Sequence, residues 1–208
     1  MTRHNVEVSP GVTLEIIADA PQGSTGAFLV CHPHPEHGGT MTHPLIAAVA
    51  DILVDHGHTA VRFNFRGVGA STGSHGHGPA EIDDITAVVG WMQDNVAPLA
   101  GITGWSFGAA TALAWQARER STIPYVGIAP PVDSALTPPL PDPAALMPAR
   151  RTFIVGDRDQ FVDATELEQY ADSIGATTVR YETADHFFIF RHDRLATDVL
   201  DALLQADS

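Results

Sequence analysis

A chain of 208 residues with 44% hydrophobic content is long enough to bury one substantial core and reads as a single domain spanning 1–208. Its formal net charge of −14, from 25 acidic against 11 basic residues, excludes nucleic acid and anionic membrane as partners, because both need positive charge at the contact. Every basic residue is arginine, which excludes lysine Schiff-base chemistry, and Cys31 stands alone, which excludes an intrachain disulfide or a cysteine metal cluster.

In chain order, VEV and TLEII read as opening antiparallel strands, and GAFLVCH over 26–32 is apolar at consecutive positions, as in a strand covered on both faces. Leu45, Val49, Ile52 and Leu53 recur near the helical period, with Gly57 as the stop. A strand over 59–65, TAVRFNF, is followed by the glycine-rich RGVGASTGSHGHG and a helix presenting Ile82, Ile85, Val89 and Met92. Then come a strand in LAGIT, the stretch GWSFG, a helix in AATALAWQARER and a strand in PYVGIA. The proline-rich segment 130–148 reads as a surface loop with at most one short helix, placed to act as a small lid. A strand in TFIVG, a helix over 166–174, a strand in TTVRYET and a helix over 195–204 complete the order. Alternation of this kind specifies an α/β fold, a three-layer α/β/α sandwich on a mostly parallel sheet. No run approaches the roughly 18 apolar residues of a spanning helix, and no apolar leader opens the chain, so a soluble, unprocessed cytoplasmic protein is expected.

GWSFG puts Ser106 at a strand-to-helix joint between Gly104 and Gly108. A sharp turn there lifts the hydroxyl above the sheet edge, the glycines admit neighbouring backbone, and the helix N-terminus behind it favours developing negative charge. A hydroxyl needs a base, and in this architecture acid and histidine follow the serine in that order. Two histidines lie downstream: His186, on the loop after the last strand, is the base, and His192, near the final helix, is a surface residue. Of the acids in VGDRDQFVD, Asp157 lies at the strand end and Asp163 caps the next helix. Asp159, between them, is the acid, with Asp133 in reserve.

CHPHPEHGGTMTHPL, RFNFRGVGASTG, GWSFGAA, GDRDQFV and ADHFF together resemble the α/β hydrolases, and within them a small, nearly lidless, esterase- or dienelactone-hydrolase-like group. The likeness runs from about Cys31 to Phe188. It implies a GxxD acid, matched here by Gly156 and Asp159, while Asn64 stands where many relatives carry aspartate. An oxyanion would meet the backbone N–H of Phe107 and, because Pro33 and Pro35 have none, that of His34.

His32, His34, His37 and His43 match no HExxH-type spacing, and the prolines restrict their convergence, so no metal and no cofactor are expected. His75 and His77 read as solvated loop residues, capable at most of adventitious metal binding. Arg66 reads either as pocket rim or as a turn anchor bonded to backbone carbonyls, and Trp105 as packing beneath the nucleophile. The expected activity is a serine hydrolase acting on small carboxylic esters or thioesters through an acyl-enzyme. A peptidase or dienelactone-type hydrolase with the same residues, or a non-catalytic binding protein on the same fold, are the alternatives.

Overall fold

The computed structural model describes residues 2–205, so the two ends of the expected 1–208 domain lie outside the described residues. One eight-stranded sheet organises them, in the order β1-β2-β4-β3-β5-β6-β7-β8. β1 (Thr2–Ser9) and β2 (Val12–Asp19) form the antiparallel edge; β3 (Ala27–Cys31), β4 (Thr59–Phe63), β5 (Leu99–Trp105), β6 (Tyr125–Ile128), β7 (Arg151–Gly156) and β8 (Thr177–Tyr181) run parallel. Every residue of β3, β4, β6 and β7 is buried, the consequence of helices on both faces of a parallel sheet. α1 (Pro44–Asp55) packs with α5 (His192–Leu204), and α2 (Pro79–Asn95) with α3 (Phe107–Glu119), while α4 (Ala164–Ser173) joins β7 to β8. Right-handed crossovers put the first pair and the second on opposite faces, giving the expected three layers.

From β3 the chain crosses outward to β4, and from β5 it crosses the other way to β6. The carboxyl ends of β3 and β5 therefore diverge into a crevice, the general ligand site of open α/β sheets. Both the loop bearing His34 and the joint bearing Ser106 leave the sheet there.

α2 buries Glu81, Asp84, Ile85, Val88 and Met92, so its inner face is turned from the expected one and Ile82 and Val89 sit at its margin. The buried carboxylates are satisfied by the preceding loop, described below. Between β6 and β7 the described residues hold one 3₁₀ turn, Pro143–Ala145, and no helical cap. Among the described residues no helix is long and apolar enough to cross a membrane.

Candidate active site

Ser106 ends β5 and begins α3 with φ 53° and ψ −115°, a left-sided conformation rare outside glycine. Its N–H donates to the Ile128 carbonyl at 2.7 Å, and its side chain makes no capping bond. The flanking glycines answer to close approach. A Cβ on Gly104 would stand 2.6 Å from the Gly108 backbone, and one on Gly108 would stand 2.4 Å from the His32 carbonyl oxygen. The helix thus descends onto the ends of β5 and β3, with room for nothing but hydrogen at these two positions.

Asp159 and His186 come together, with Asp159 Oδ2 2.7 Å from His186 Nδ1. The Asp159 side chain is fully buried, and its other oxygen accepts from the N–H groups of Phe161 and Val162 at 2.8 and 2.9 Å. A carboxylate so held keeps the imidazole proton on Nδ1 and leaves the lone pair on Nε2. His186 is buried, flanked by Phe161, Trp105 and Phe187. The indole N–H of Trp105 donates to the His186 carbonyl at 3.2 Å, a positioning role that the sequence does not disclose. Ser106, His34, Trp105 and His186 line one cavity of about 420 Å³. No hydrogen bond joins Ser106 to His186 among the described residues, a common state of such sites before substrate binds.

Asp133, the reserve acid, also lines this cavity, from the segment between β6 and β7. Asp157 pairs instead with Arg180 at 2.8 Å. Asp163 caps α4 through the N–H groups of Thr165 and Glu166, and His192 opens α5 with Nε2 3.0 Å from the Phe187 carbonyl. The segment 130–148 forms one wall of the cavity through Pro131, Ser134, Leu136 and Thr137.

The loop after β3 is built on histidines. His32 is fully buried; Nδ1 lies 2.6 Å from the Pro33 carbonyl and Nε2 accepts the Phe65 N–H at 3.0 Å, which locks one neutral tautomer. Burial pushes its pKa down to about 4. His34 caps the short turn Pro35–His37 by accepting the Glu36 N–H at 3.2 Å. Burial, and then the neighbouring His37 and His75, lower its pKa. Among the described residues the amides of Phe107 and His34 donate to no other group.

Two sequence expectations are corrected here. Arg66 neither rims the cavity nor anchors carbonyls: its guanidinium grips the buried Asp84 through Nε at 3.0 Å and Nη2 at 2.6 Å, and its own N–H bonds the same carboxylate. His75 is not solvated, since its side chain is 5% exposed and lies 3.0 Å from the buried Glu81 carboxylate. Glu81 in turn accepts the N–H groups of Gly76 and Gly78, both at 2.7 Å. Asn64 uses its amide in both senses, accepting from the Met41 N–H and donating to Glu15, each at 2.7 Å; aspartate cannot do both when ionised.

Residues 8–137 match the family model of X-Pro dipeptidyl-peptidases (S15 family). The chain belongs to that family, within the α/β-hydrolase superfamily. The matched span contains Ser106 and ends before β7, the strand whose following loop carries Asp159. A curated relative, the uncharacterized protein RP471 of Rickettsia prowazekii (strain Madrid E), is 31% identical over 206 residues, covering 92% of this chain and 84% of its own. Among solved structures, XC6422 of Xanthomonas campestris, an α/β serine hydrolase without lid, superposes with TM-score 0.84 at 28% identity over 100% of this chain and 96% of that one. An α/β serine hydrolase homologue from Coxiella burnetii matches equally, with TM-score 0.84 and 28% identity over 97% of each chain. This α/β serine hydrolase shares the fold of XC6422, itself without a lid, and among the described residues no helical cap covers its own sheet end.

Proposed function

We propose that this α/β serine hydrolase cleaves carboxylic esters or thioesters with small apolar acyl groups through an acyl-enzyme. The observation that carries the reading is the buried Asp159–His186 pair, 2.7 Å apart, on the same cavity as Ser106. His186 Nε2 takes the Ser106 proton as Oγ attacks the carbonyl carbon, then returns it to the departing alcohol or thiol; water clears the acyl group by the same relay. The Phe107 and His34 amides, which donate to no other group among the described residues, are suited to the oxyanion, where losing one donor typically costs roughly 10²–10³ in rate. Leu136, Phe161 and Phe187 line the cavity while staying 55%, 61% and 42% exposed, an apolar rim suited to an acyl chain or ring.

Dipeptide release from an X-Pro peptide is a second reading, supported by the family match and by Asp133, whose carboxylate at the cavity is suited to a peptide amine. Hydrolysis of p-nitrophenyl butyrate and of an X-Pro p-nitroanilide, measured on wild type, Ser106→Ala and Asp133→Ala, separates the two. The ester is expected to be turned over, with all turnover lost in Ser106→Ala and kept in Asp133→Ala. Anilide release faster than ester cleavage, lost in Asp133→Ala, would support the peptidase instead.

A further inference from the structure

We propose that His34, Glu36 and His75 form a binding site for a divalent metal ion of the zinc class, beside the cavity that His34 lines. One ring nitrogen of each histidine and one carboxylate oxygen of Glu36 all lie within 4.8 Å of one another. Around a tetrahedral ion with bonds of about 2.0–2.2 Å, donor atoms stand roughly 3.4 Å apart. Glu36 is exposed, on the short turn Pro35–His37, so its side chain is free to close that difference by rotation.

The second observation is His75 itself. Its Nδ1 sits 3.0 Å from Glu81 Oε1 but out of hydrogen-bonding alignment, and its Nε2 is buried with no partner. Buried polar groups are rarely left unsatisfied without a reason. Glu81 is fully buried and fixed by two backbone N–H groups, so a small turn of the His75 ring would give a metal-bound imidazole the carboxylate it ordinarily has on its far nitrogen. The His34 and His75 rings lie 4.9 Å apart, both against Phe107. Ligation through His34 Nδ1 would exchange its 3.2 Å bond from the Glu36 N–H for a bond to the ion. Two histidines and one carboxylate leave a position for water, and the ion ties the loop after β3 to the loop before α2. The site shares His34 with the ester reading, through its ring and not its amide, and takes in neither Ser106 nor His186.

The test is titration of the purified full chain with Zn²⁺ by calorimetry, on wild type, His75→Phe, Glu36→Gln and the exposed neighbour His77→Phe. Wild type is expected to bind one ion at micromolar affinity or tighter, weakened about 10-fold or more by His75→Phe and by Glu36→Gln and unchanged by His77→Phe. Absence of stoichiometric binding, undiminished affinity in His75→Phe, or a loss that follows His77 alone would overturn the proposal. Should His75→Phe fail to fold, the exposed Glu36→Gln decides, undiminished affinity there overturning it.

Discussion

Asp159 divides its two oxygens between backbone and imidazole: one accepts the amides of Phe161 and Val162, the other faces His186 Nδ1. Asp159→Asn keeps the volume and removes the charge that fixes the tautomer. Ester kcat is expected to fall on the order of 10³–10⁴ with KM little changed. Steady-state kinetics that retain more than a tenth of kcat would return the acid's role to Asp133. Loop position between Asp157 and Asp163, chain order and the GxxD resemblance pointed to Asp159, and the structure sets it 2.7 Å from His186. The Trp105 bond to the His186 carbonyl was not, since it joins residues 81 apart and leaves no local pattern. His75 was misread for a related reason: a glycine-rich stretch reads as open loop, and its buried surroundings come from Glu81 on α2 and Phe107 on α3.

At the scale of elements, the approach of α3 to β3 and β5 sets the height of Ser106 above the sheet. A methyl at Gly108 would strike the carbonyls of Cys31 and His32, backbone that cannot swing aside. Gly108→Ala is therefore expected to destabilise by roughly 1–3 kcal/mol, read as a lowered urea midpoint. Gly90, inside α2, has nothing within 4 Å of an added Cβ. Gly90→Ala is expected to stabilise by roughly 0.4–1 kcal/mol, read as a raised midpoint, so equal effects at the two sites would deny that packing at the joint is special. Gly104 and Gly108 announced themselves in GWSFG, whereas the facing of α2 did not. Periodicity counts apolar side chains, and the inner face of α2 carries Glu81 and Asp84, whose partners are loop amides and Arg66.

For the whole molecule, the alternation of strands and helices was legible from end to end, because a parallel sheet demands continuous apolar runs and amphipathic crossovers. The crevice between β3 and β5 follows from strand order, which the sequence does not print, and the wall contributed by 130–148 depends on contacts with no period. The fold also carries a pH dependence. His32 is neutral in the folded chain down to about pH 4, while the unfolded chain takes up its proton near 6.5. The unfolded state thus binds more protons between those values, so stability is present above about 6.5 and is lost as pH falls toward 4, by roughly 3 kcal/mol from this residue. His34, His43 and His58, also lowered by burial, act in the same direction. Denaturant midpoints from pH 7 to 4.5 are expected to drop, with a shallower slope in His32→Asn; an equal slope would assign the effect elsewhere. The proposed function rests on Ser106 being made nucleophilic by His186, and labelling with a fluorophosphonate followed by peptide mapping reads this directly. A single adduct on Ser106 is expected in wild type, absent from Ser106→Ala and formed far more slowly in His186→Ala. An adduct on another residue, or Ser106 labelling at an undiminished rate without His186, would contradict it.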